Sequence, residues 1–104
     1  MTYHIEVKNA HSGGYRPVLD ASGIKTYNSV VKARKGLMKA IKSGEYGFCI
    51  MGSVLGSREG IGYTVGIVKF ENGVWVWNDY RTNKATQLKA DGTLGKSVRW
   101  NWRS

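Results

Sequence analysis

One stretch, Asn28 to Ser43 (NSVVKARKGLMKAIKS), carries its apolar residues at helical spacing, while the remaining apolar segments read as strands. At about 100° per residue, Val30, Val31, Leu37, Met38 and Ile41 fall in one arc, and Lys32, Lys35, Lys39 and Lys42 fall together on the opposite side. A lone helix among many strands narrows the folds open to the chain. A helix about 10 Å wide covers only two or three strands spaced ~4.8 Å apart, so a flat sheet would leave apolar strand faces in water. The pattern predicts an α+β fold: one amphipathic helix over 28–43 packed on a curled, largely antiparallel sheet of five to seven strands, tending towards a partly closed barrel. Asn28 or Ser29 can cap the helix with a side-chain oxygen, and Gly44 suits its C-terminal stop.

The strands are read from alternation and turn chemistry. Tyr3, Ile5 and Val7 alternate with His4, Glu6 and Lys8, as in a half-buried strand. Tyr15–Leu19 predicts a short strand that Pro17, lacking an N–H, confines to an edge. Ala21-Ser22-Gly23 is a turn, and Ile24–Tyr27 an extended approach to the helix. Tyr46–Leu55 is apolar on both parities, which suits a central strand covered on both faces. Gly52 to Gly62 holds four glycines and is expected to be a mobile loop. Tyr63–Phe70 and Val74–Tyr80 flank Asn72-Gly73, whose residues accept the positive φ of a tight hairpin turn. Arg81–Asn83 and Asp91-Gly92 mark further turns on either side of a weaker strand, Lys84–Ala90. Val98, Trp100 and Trp102 alternate with Arg99, Asn101 and Arg103 in a final strand.

A chain of 104 residues suits a single compact domain spanning 1–104. At 41% hydrophobic it needs neither disulfide nor metal to fold. Its single cysteine, Cys49, rules out an intramolecular disulfide and fits a reducing compartment. MTYHIEVK lacks the apolar core of a signal peptide, and no apolar run approaches the ~20 residues of a membrane span. The expectation is a soluble cytoplasmic protein without a membrane partner.

Charge carries the functional signal. Sixteen Lys and Arg against seven Asp and Glu give +9. Such an excess speaks to partners, first nucleic acid or a nucleoprotein, then an acidic protein surface. No acidic residue interrupts Ala21–Gly44, which holds Lys25, Lys32, Lys35, Lys39, Lys42 and Arg34. Like-charge neighbours three or four apart on a helix each cost a few tenths of a kcal/mol. A row without alternating glutamates reads either as a solvated face or as a line of phosphate contacts. The five lysines are the predicted contacts, with Arg99 and Arg103 as a second patch and Arg58 as a candidate loop contact. Arg34 falls among the apolar positions, and the expectation is that its stem crosses the core face while its head reaches water. Glu6 or Asp79 could pair with it if it were buried. Gly36 at mid-helix costs about 1 kcal/mol against alanine, for no reason visible in the sequence. Trp75 with Trp77, and Trp100 with Trp102, share strand faces; core packing is the expectation, and stacking of unpaired bases the alternative.

Catalytic chemistry finds little support. Two histidines, His4 and His11, with one cysteine in an apolar strand make no zinc set, and the carboxylates are scattered. The Gly52–Gly62 segment lacks the G-x-x-x-x-G-K-[ST] spacing of a phosphate loop. No cofactor, metal site or catalytic residue is predicted. The expected function is a small non-enzymatic basic protein that engages nucleic-acid backbone through the lysine face. The alternative is a phage-type protein–protein inhibitor or adaptor acting on a nuclease or host defence complex, with its lysines on an acidic surface and Tyr and Trp as anchors.

Overall fold

The computed structural model describes residues 2–11, 13–89 and 91–98. Helix α1 spans Val30–Ser43. Ser29 is extended and its Oγ accepts the Lys32 backbone N–H at 3.1 Å; Gly44 turns left-handed at φ 80°. Both termini therefore fall where the cap chemistry places them. Val30, Leu37 and Met38 are buried and Ile41 half-buried, joined by Ala33, Ala40 and Arg34. Val31 departs from the expected arc and is 49% exposed. Its position on the helix falls beside Lys35 and Lys42, while the small Ala33 and Ala40 take the other flank of the contact.

Strands β1 (Thr2–Asn9), β2 (Tyr15–Pro17), β5 (Cys49–Arg58), β6 (Ile61–Glu71), β7 (Val74–Asp79), β8 (Lys84–Leu88) and β9 (Leu94–Val98) form one antiparallel sheet, ordered β2-β1-β5-β6-β7-β8-β9. β3 (Leu19–Asp20) and β4 (Gly23–Ile24) make a separate small hairpin. Register puts Ile5 opposite Val54, Val7 opposite Gly52, Gly52 opposite Val68, and Val68 opposite Trp77. These residues and Leu88 form one face, and they share the core with Val30, Ala33, Leu37 and Met38. β2 is an edge strand, as Pro17 requires, and β5 buries residues of both parities, Ser53 as well as Val54.

The helix lies on β1 and β5, yet the far end of the sheet also reaches it. Arg34 Nε donates to the Gly92 carbonyl at 3.1 Å, so the β8–β9 turn touches α1. A helix met by the second, third and last parts of one seven-stranded sheet requires that sheet to curl, which answers the coverage problem posed by a single helix.

The Gly52–Gly62 segment is a correction. It is no loop: β5 runs through Gly52 and Gly56 to Arg58, and Glu59 (φ 54°) with Gly60 (φ 80°) forms a two-residue turn into β6. The in-strand glycines leave room for side chains. A Cβ at Gly52 would stand 2.7 Å from Leu37 Cδ1, and one at Gly56 would meet the Tyr63 ring at 2.6 Å. Asn72 and Gly73 turn with φ 52° and 81°, the hairpin that N-G predicts. Trp77 is buried, and Trp75 packs tilted on Phe70 with ring centroids 5.2 Å apart. The expected continuation of the last strand through Trp100 and Trp102 lies outside the described residues.

A lysine-lined groove

Lys32, Lys35, Lys39 and Lys42 are all exposed on the outer side of α1. Segment 18–27, which contains β3 and β4, stands beside that face. The two enclose a groove of about 440 Å³, lined by Lys25, Tyr27 and Leu19 from the hairpin segment and by Lys32, Lys35 and Lys39 from the helix. Asp20, Glu45 and Tyr46 line it as well. Four of the five predicted lysines therefore converge on one concavity, although Lys25 and the helix come from different segments. Lys42 borders a second depression with Lys35, Lys39 and Asp91. Lys32, Lys35 and Lys39 form no ion pair among the described residues.

Backbone bonds fix the hairpin wall. The Val18 N–H donates to the Ile5 carbonyl and the Lys25 N–H to the Val18 carbonyl, each at 3.0 Å, while Tyr3 and Tyr27 exchange N–H···O bonds of 2.8 and 2.7 Å. Asp20 is engaged within its own turn: Oδ1 accepts the Ser22 hydroxyl at 2.8 Å and the Ser22 N–H at 2.9 Å. Those bonds, with Lys25 nearby, hold its carboxyl below the usual range. It opposes the lysines as a fixed negative charge rather than as a direct ion-pair partner.

Gly36 now has a reason. A Cβ there would lie 2.6 Å from Tyr27 Cζ, inside the ring's contact distance. The bare helix lets Tyr27 lie against α1, and Lys25 Nζ stands 5.5 Å from the centre of that ring. Gly36→Ala should gain about 1 kcal/mol of helix propensity but lose about 1–3 kcal/mol to overpacking against the ring. The expected result in urea denaturation is a net loss. In a Tyr27→Ala background the same substitution should instead stabilise, because only the propensity gain remains.

The other candidates lie elsewhere. Arg58 ends β5 beside Glu59, Ile61 and Tyr63, in a concavity that shares no residue with the groove. Arg99 and Arg103 lie outside the described residues. Arg34 does not reach water as expected: it is 7% exposed, with its guanidinium carbon 5.6 Å from the centre of the Trp77 ring. Burial lowers its pKa, and the charge of Asp79 opposes that shift. Asp79 spends its carboxylate on Arg81, with Oδ2 2.9 Å from Nη2 and Oδ1 3.1 Å from Nε. Burial alone would raise Asp79, but the Arg81 hydrogen bonds and charge outweigh it and hold the carboxyl low. Glu6 lies 3.7 Å from His4 instead. Arg34 is thus held by a π face and a carbonyl, and the reason is local: the β8–β9 turn delivers a backbone acceptor to a helix position that faces the core.

Cys49 is buried, its thiol pushed up by desolvation and its Sγ 3.8 Å from the Tyr46 carbonyl, which leaves little thiolate to react. Sequence reasoning did not place Leu19, Tyr27 or Tyr46 at the site. Gly36 was the available signal, since an exposed-face glycine in a helix marks something lying against it. No helix among the described residues is long and apolar enough to cross a membrane. No protein-family model, curated protein or solved structure matches this chain.

Proposed function

We propose that this chain is a small non-enzymatic protein that engages nucleic-acid backbone, free or within a nucleoprotein, through the groove formed by Lys25, Lys32, Lys35 and Lys39. The observation that supports it is the convergence of four lysines from two separate segments on one recess. Like charges brought together this way repel, and three of them lack an ion-pair partner among the described residues. A polyanion relieves that repulsion and gains counterion release. Asp20 and Glu45 reduce the net charge at the groove without cancelling it. The lone buried thiol fits a reducing, cytoplasmic setting for this role.

Salt dependence tests the proposal. If each groove lysine displaces one condensed counterion from duplex DNA, log K falls against log salt with a slope of about −3.6, and affinity drops roughly 150-fold between 50 and 200 mM salt. Fluorescence anisotropy with a labelled oligonucleotide reads this directly, and a flat response rejects the proposal.

A second reading has one observation in its favour. Leu19 and Ile24 pair across the small hairpin, and both are exposed. An apolar pair beside a basic groove also suits an acidic protein surface, as an inhibitor or adaptor would need. A complex that forms with a pure protein partner and survives nuclease treatment would favour it.

A further inference from the structure

Backbone binding by itself does not distinguish a duplex from a single strand. We infer that the groove takes single-stranded nucleic acid, with phosphates on Lys25, Lys32, Lys35 and Lys39 and bases against Leu19, Tyr27 and Tyr46. This rests on the nucleic-acid reading above and narrows its ligand.

The shape of the charged surface carries the inference. Proteins that read a duplex insert a helix or ribbon into grooves about 12 or 6 Å wide. Here the relation is inverted, because the protein supplies the recess and the basic side chains line it. A recess of about 440 Å³ between a helix and a two-residue-strand hairpin receives one chain. A duplex, wider than its own major groove of about 12 Å, would rest on the hairpin and helix crests, reaching the outer lysines without filling the space between the walls.

The lining points the same way. Lys32 to Lys39 covers about 10 Å of helix axis at 1.5 Å per residue, a row able to follow a short length of one backbone. Along the same recess lie apolar and aromatic groups: Leu19 exposed, Tyr27 and Tyr46 half-buried. A phosphate row needs no such surface when it meets a duplex, whose bases are stacked and covered. Unpaired bases do need one, and a basic groove with aromatic side chains is the general form of sequence-tolerant single-strand binding. Lys25, from the hairpin wall, faces the chain from the side opposite the helix.

The test compares a labelled twelve-nucleotide dT strand with a blunt duplex of the same length, by anisotropy at 100 mM salt. The expected result is at least tenfold tighter binding of the single strand, with a salt slope near −2.8 from four contacts. Leu19→Ala, at an exposed position, and Tyr46→Ala, checked for folding by circular dichroism, should each weaken the single strand by about fivefold or more and leave the duplex little changed. Equal or tighter duplex binding overturns this inference but leaves the backbone-binding proposal standing. Tight single-strand binding unaffected by both variants overturns the base contacts. Failure to bind either oligonucleotide at low salt, with or without capture of polyglutamate of matched charge, removes the nucleic-acid reading itself and this inference with it.

Discussion

Trp77→Ala should lower the free energy of unfolding by about 3–5 kcal/mol, read as a drop in urea midpoint at unchanged m-value. Trp77 is 1% exposed and stands in the middle of the curled face, opposite Val68 on β6 and Thr86 on β8. Its ring also fills the space above Gly66, where a Cβ would lie 2.6 Å from the indole. Removing the indole leaves a cavity that the backbone around Gly66 has no side chain to fill. It also strips the π face from the Arg34 guanidinium, stranding a buried cation with less to hold it. For a chain of this size, total stability is on the order of 5–15 kcal/mol, so the variant should be marginal at 37 °C.

The triple substitution Lys32→Gln, Lys35→Gln, Lys39→Gln should weaken single-strand binding about 100-fold at 0.1 M salt. Three lost contacts remove about 2.1 from the magnitude of the salt slope, and 0.1 M lies one decade below the 1 M reference where counterion release vanishes. The remaining slope should be close to −0.7, which anisotropy across a salt series measures. Stability should hold or rise, since Lys35 and Lys39 are like-charge neighbours at four-residue spacing. A matched triple at Lys84, Lys89 and Lys96, exposed positions outside the groove, removes the same charge. If that control weakens binding equally, the groove is not the site.

Much of the architecture was readable because its signals are local. Ser29, Gly44, Asn72-Gly73 and Pro17 each act within a few residues, and the structure places the caps, the hairpin and the edge strand where those residues ask for them. The misreadings share a different cause. Gly52, Gly56 and Gly36 owe their identity to side chains that the fold lays over them, those of Leu37, Tyr63 and Tyr27, so the sequence shows a glycine but not the ring or methyl above it. Arg34 was misjudged for the same reason, because its acceptor is a carbonyl 58 residues away and backbone atoms leave no trace in composition. At the candidate site the lysines were legible as an unbroken charge run. Lys25 was among the predicted contacts, but that Leu19, Tyr27 and Tyr46 line the same recess depends on how the β3–β4 hairpin folds against α1.

The placement of β1 next to β5 has a consequence for synthesis on the ribosome. β1 and α1 are made first, yet both bury themselves against β5, which ends at Arg58. At ~5–20 residues per second, the roughly 50 residues from Asn9 to Arg58 take about 2.5–10 s. During that interval Ile5 and Val7 have no finished surface to pack against, and Leu37 and Met38 join them once α1 is made. Once made, the helix carries a row of lysines that repel one another and lacks the β5 contacts that offset them in the finished fold. Those same charges disfavour close approach between nascent copies, so the lysine row proposed to bind a polyanion in the finished protein would also protect the unfinished one.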